Sequence, residues 1–213
     1  MVTVELKPIE EILTYINKDW NIGIVGCELG SSRCKNGGLR EAKQLAEMLA
    51  INGYNVTFIA SPGGTCILER LKQKTLKDLE NKCDVVISLA CGAGTQVLAE
   101  NLSIPVTTGV NTLFIGAEEN STTFKEYCIA CGSCIISSTG GICPVARCPK
   151  SLLNGPCGGA INGKCEVNNT LPCIWYVIEE KLESLELLQK LKLPVPPADY
   201  SKAVHPRELK VEE

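Results

Sequence analysis

Residues 22–60, IGIVGCELGSSRCKNGGLREAKQLAEMLAINGYNVTFIA, hold one complete strand–loop–helix–strand unit. IGIVG at 22–26 is a short uncharged apolar run, which suits a strand buried on both faces. Leu39, Ala42, Leu45, Ala46 and Leu49 then recur at helical spacing over 38–51, and Asn52-Gly53 stops the helix. NVTFIA at 55–60 predicts a second strand, closed by the turn SPGG.

The same alternation continues outward. A helix is predicted over 66–82 from Ile67, Leu68, Leu71, Leu76 and Leu79. DVVISLA at 84–90 is a third strand, about 94–102 a helix, and IPVTT at 104–108 a fourth strand. On the other side, Ile9, Ile12, Leu13 and Ile16 mark a helix over 9–17, with Pro8 near its first turn. Strands alternating with helices of this size imply crossover connections and a parallel sheet. The fold class is α/β: a small flavodoxin- or Rossmann-like parallel-sheet domain over 1–118.

The pattern changes after Glu118-Glu119-Asn120-Ser121. Eight of the chain's 13 cysteines crowd between Cys128 and Cys173, among many glycines and prolines and with little hydrophobic periodicity. Such a stretch buries too little apolar surface to fold unaided, so bound metal must supply much of its folding energy. Residues 174–192 return to a helix, with Ile174, Ile178, Leu182, Leu185 and Leu188 as its apolar stripe. We therefore expect an irregular Cys-rich iron–sulfur domain with a terminal helix over 119–193. A Pro-containing tail over 194–213 is expected to be either a partner-binding arm or simply loose.

Bulk properties exclude several classes. The chain has 213 residues and a net charge of −3, which argues against a nucleic-acid groove, since that needs a basic face. No window approaches 18 uncharged apolar residues, so no membrane span is expected. The start, MVTVELKPIEEILTYI, lacks a basic region followed by a continuous apolar core, and a cytoplasmic location is expected. In that reducing setting a Cys-rich pattern reads as metal-binding rather than disulfide-bonded. The single histidine, His205, leaves His no major role as ligand or base.

Cys128-x2-Cys131-x2-Cys134 matches the first three ligands of a bacterial-ferredoxin cluster motif. Cys143-Pro144 and Cys148-Pro149 repeat the Cys-Pro step of the fourth ligand, and Cys157, Cys165 and Cys173 complete eight, the number two [4Fe–4S] clusters need. The ferredoxin run itself is not reproduced, because eight residues separate Cys134 from Cys143. How the eight are grouped is not readable from spacing. Structural zinc is the alternative at one site, although zinc favours separated C-x2-C pairs.

The α/β half carries a second group. Cys27, Cys66 and Cys91 each follow a predicted strand, and carboxyl ends of parallel strands share one edge of the sheet. Cys34, in the loop after Cys27, makes a fourth, so a third cluster is one reading and plain burial of small hydrophobic thiols the other. Cys83 precedes its strand, at the opposite edge, and reads as a buried small hydrophobe. GCELGSSRCKNGG and CGAGTQ match neither a dinucleotide fingerprint nor a P-loop, so nucleotide binding is a weak reading there.

The run from Tyr127 to Leu182 resembles the C-terminal domain family of methylenetetrahydrofolate reductase. The residues that carry the likeness are GGICPVARCPKSLLNGPCGG, GKCEV and Cys173-Ile174-Trp175. Cys27, Gly37-Gly38 and CGAGTQ at 91–96 resemble the α/β half of the family's free-standing MetV-type subunits, although Gly30 stands where a further thiolate is expected. The resemblance implies an electron-transfer subunit that serves the flavin of a separate MetF-type catalytic partner and is itself fed by a redox donor protein. A zinc-held assembly subunit of the same complex, without redox role, is the alternative.

Overall fold

A computed structural model describes residues 1–71 and 73–211. It is a mixed α/β structure with a four-stranded parallel sheet and a separate antiparallel sheet. Met1–Lys125 forms one compact unit, and the chain from Glu126 onward forms another.

In the first unit the order is β1 (Val2–Leu6), α1 (Ile9–Leu13), β2 (Asn21–Val25), α2 (Gly30–Arg33), α3 (Leu39–Ile51) and β3 (Asn55–Ala60). Then come α4 (Leu68–Leu71), α5 (Gln73–Lys82), β4 (Val85–Ser88), α6 (Gly92–Glu100), β5 (Val106–Thr108), β6 (Val110–Asn120) and β7 (Thr123–Cys128). Strands β3-β2-β4-β5 lie side by side, and every pair is parallel. Strand order reverses between β2 and β4, the point where doubly wound sheets open a crevice at their carboxyl ends.

Alternating residues of β2 and β4 feed two cores. Ile22, Ile24, Val85 and Ile87 pack with Val4, Ile12, Leu45 and Leu49 on one face. Val25 and Val86 pack with Leu71, Leu79, Cys83 and Leu98 on the other. Burial on both faces is why these strands are continuous apolar runs. Each fully buried Ile or Leu contributes about 2 kcal/mol.

The helix expected over 66–82 is helical over Leu68–Leu71 and Gln73–Lys82, and residue 72 lies outside the described residues. Two other expectations are corrected. The helix expected over 174–192 is α8 (Ile174–Ser184) followed by a 3₁₀ turn at Leu188–Lys192. Glu186 between them has φ 58°, a left-handed conformation that no helix continues through. The antiparallel sheet, β1-β6-β7, was not anticipated. Val2 pairs with Ile115 and Leu6 with Val110, and β6 continues unbroken through residue 118, where the composition changes.

The second unit has little regular structure: α7 (Pro144–Arg147), α8 and short 3₁₀ turns. Its core consists of Cys173, Ile174, Trp175, Ile178 and Leu182, all buried. Residues 194–211 are not wholly free of the rest. The Arg207 guanidinium donates to the Ala130 carbonyl at 2.8 Å, and Tyr200, Ala203 and His205 line one cavity with Cys131. Among the described residues no helix is long and apolar enough to cross a membrane.

Candidate metal centres

All 13 cysteines are unbridged thiols, so none is tied up in a disulfide. Among the described residues, no three Cys, His, Asp or Glu side chains are already gathered as a ready-made metal site. Where the fold places each candidate ligand therefore decides what it can do.

Cys148, Cys157, Cys165 and Cys173 line one small cavity of about 20 Å³, backed by Ile174 and Trp175. Each reaches it by a local device. Cys148 ends α7, its N–H bonded to the Pro144 carbonyl, and Cys173 is the N-cap of α8. Cys157 sits between Gly155 and Gly158, whose φ values of 94° and 79° are open only to glycine at low cost. Cys165 follows a two-residue hairpin turn, Asn162-Gly163, at φ 50° and 74°, closed by the Ile161–Lys164 bridge.

The Cys157 thiol is held below its ordinary value, chiefly by the Gly159 backbone N–H and with help from Lys150. It also lies 3.2 Å from the Glu166 carboxylate, which is paired with Lys150. A thiol inclined to ionise is what a metal requires, because the thiolate is the ligand.

Cys128, Cys131 and Cys134 occupy a turn made by Ala130 at φ 54° and Gly132 at φ 82°. That turn aims the Ala130 N–H at the Cys128 sulfur, 3.3 Å away. N–H···S bonds of this kind stabilise cluster thiolates and help set cluster potential. Cys143 caps the N-terminus of α7, and the Arg147 guanidinium of the same helix stacks on the Tyr127 ring at 5.1 Å. Cys128, Cys131, Cys134 and Cys143 are all sulfur donors, the type an iron–sulfur cluster takes, whereas the cavity of Cys148, Cys157, Cys165 and Cys173 also holds Glu166 and Lys150 and in size suits a single zinc ion.

In the first unit the four cysteines are unequal. Cys27 and Cys34 are buried, Cys91 is half-buried as the N-cap of α6, and Cys66 is exposed on the turn after β3. Cys34 packs into the core with Val4 and Ile12. Cys83 is buried beside Leu79 and Thr57 at the amino end of β4, and burial pushes its thiol up.

The crevice between β2 and β4 is narrowed by the chain's own backbone. The Gly37 carbonyl accepts from Cys27 N–H at 2.7 Å, and a Cβ at Gly37 would lie 2.1 Å from the Leu89 carbonyl oxygen. Gly30 is closed in the same way, since a Cβ there would sit 2.3 Å from the Val2 oxygen. The further thiolate expected at that position has no room.

Glu28, which sequence reading missed, ties this edge together. Its Oε1 accepts from the Leu39 N–H at 2.8 Å, at the start of α3, and from the Ser61 hydroxyl at 2.5 Å. The Ser61 hydrogen bond leads in holding its carboxyl below the ordinary 4.5. A lowered folded-state value stabilises the fold above the unfolded value, and the contribution is lost as pH falls through the folded one. Because Glu28 is exposed, Glu28→Gln should cost only about 0.5 kcal/mol at neutral pH. Urea midpoints of the two proteins should converge below pH 4.5, and a constant gap down to pH 3 contradicts the assignment.

Residues 107–201 match the family model described as methylene-tetrahydrofolate reductase C terminal. No curated protein and no solved structure matches the chain.

Proposed function

We propose, from the match of residues 107–201 to the family model described as methylene-tetrahydrofolate reductase C terminal, that the chain is an iron–sulfur electron-transfer subunit of a methylenetetrahydrofolate reductase complex. It hands electrons from a redox donor protein to the flavin of a MetF-type catalytic partner. The observation that supports the reading is that Cys148, Cys157, Cys165 and Cys173 all line one cavity inside the matched segment. Cys128, Cys131, Cys134 and Cys143 supply a second set of four, and Cys27, Cys34, Cys66 and Cys91 are the candidates for a third.

Bound there, clusters supply reversible one-electron storage at thiolate-held iron. The chain's own residues hold and shield. Ile174 and Trp175 back the cavity with buried apolar surface beside Cys173. Ala130 N–H donates to sulfur. In this reading catalysis belongs to the partner.

A zinc-held assembly subunit of the same complex is the second reading. The size of the cavity favours it, since about 20 Å³ holds roughly one water-sized occupant and tetrahedral Cys₄ suits zinc. The two readings part in one experiment. The chain, reduced anaerobically and freed of reductant, should bleach the flavin of an oxidised MetF-type partner on mixing. A chain that binds the partner and leaves its flavin oxidised is an assembly subunit.

A further inference from the structure

We propose that the chain's own tail is a strap: residues 198–207 lie over an apolar groove along the Cys128–Cys134 turn, pinned ahead of the groove by Asn154 and latched beyond it by Arg207. The inference goes beyond the functional reading and holds whichever metal the cysteines take.

The groove is a cavity of about 300 Å³, lined by Ile129, Cys131, Ile135 and Val145 together with Tyr200 and Ala203 of the tail. Apolar walls of this kind favour a cover that removes them from water. The tail supplies one because it is held at two points. Ahead of the groove, the Asn154 side chain grips the Val195 backbone in both directions. Its amide donates to the Val195 carbonyl at 3.0 Å, and its carbonyl oxygen accepts from the Val195 N–H at 2.6 Å. Pro196 and Pro197 follow, and their rings fix the backbone leaving this pin. A 3₁₀ turn at Tyr200–Ala203 comes next, started by Asp199, which accepts from the Ser201 N–H at 3.1 Å.

The latch lies past that turn. One Arg207 nitrogen donates to the Ala130 carbonyl at 2.8 Å and to the Lys202 carbonyl at 2.9 Å, so a single guanidinium joins the tail to the cysteine turn. A charged donor makes the stronger class of hydrogen bond. The cysteine turn is shaped to receive the tail. A Cβ at Gly132 would lie 2.7 Å from the Lys202 carbonyl oxygen, so the two backbones meet where only glycine leaves room. Of the three cysteines on the turn, Cys131 is half-buried and lines the cavity, whereas Cys128 and Cys134 are exposed. The strap thus shields one thiol of the three, and a partner that is to reach Cys131 must first lift it.

Trypsin reads the strap on the full chain as purified. Lys202 and Lys210 are both exposed, but the Lys202 carbonyl is held by the latch and Lys210 lies beyond it. Arg207→Ala should speed cleavage after Lys202 by about two- to tenfold, the worth of one hydrogen bond in the population of the open tail. Cleavage after Lys210, and after Lys181 on α8, should be unchanged. If cleavage after Lys181 also rises, the unit has loosened as a whole, and a second measurement decides. A photoreactive benzophenone amino acid placed at Tyr200 in otherwise unaltered, dilute chain should cross-link within one molecule to residues 129–135 or 145–153. Cross-links between molecules show the groove filled by a second copy. No cross-link to these segments, or cleavage after Lys202 that Arg207→Ala leaves unchanged, shows a loose tail. Any of these overturns the strap.

Discussion

If the second unit holds metal as proposed, stripping it should unfold the part beyond Glu126 and leave Met1–Lys125 folded. The two units rest on different kinds of cohesion. The first has two apolar cores on either face of a parallel sheet. The second has five buried residues on and beside α8, and the rest is turns, with left-handed φ at Ala130, Gly132, Gly140, Gly141, Ser151, Gly155, Gly158, Asn162 and Gly163. Such turns cost conformational entropy and return little buried area. Metal held by thiolates is worth on the order of 10–16 kcal/mol in small metal-folded domains, enough to decide folding there. Amide exchange along α8 should therefore reach unfolded-chain rates after chelation, while amides of β2 and β4 stay protected. Persistent protection of α8 in metal-free protein contradicts this.

Gly37→Ala should destabilise the first unit by about 3 kcal/mol, the upper range for forcing atoms into a packed site. The added Cβ meets the Leu89 carbonyl oxygen at 2.1 Å and the Ser31 Cβ at 2.7 Å. The neighbour is backbone at the end of β4, so relief requires the loop carrying Cys27 and Cys34 to move. Gly53→Ala is the control. Gly53 has φ 81° and nothing within 4 Å, so it should cost only about 1 kcal/mol, for the backbone conformation alone. Equal losses in urea titrations of the two variants would show that crowding at Leu89 is not what fixes this loop.

The parallel sheet was legible because Ile22–Val25 and Val85–Ile87 are buried apolar runs with no polar break in the sequence. The antiparallel sheet was not. β6 mixes Leu113 and Phe114 with Glu118 and Glu119, and its partner β1 lies more than a hundred residues earlier, beyond any local pattern. The end of α8 was misjudged because the apolar stripe runs on through Leu188, whereas the backbone reverses at Glu186.

At the candidate site, cysteine spacing suggested ligand types but not which cysteines share a cavity. The gathering of Cys148 with Cys173 depends on the Asn162-Gly163 hairpin, the glycines around Cys157 and the cap of α8. Each of these is a local signal, and only the folded chain combines them. Gly30 and Gly37 read as turn residues in the sequence. Their reason is close backbone approach, which a sequence does not reveal.

The most direct test of the central claim is iron, acid-labile sulfide and zinc analysis of the anaerobically purified chain. The account predicts about eight irons with matching sulfide per chain, or about twelve if the strand-end cysteines also hold a cluster. Stoichiometric zinc with no sulfide contradicts it and leaves the assembly role in its place.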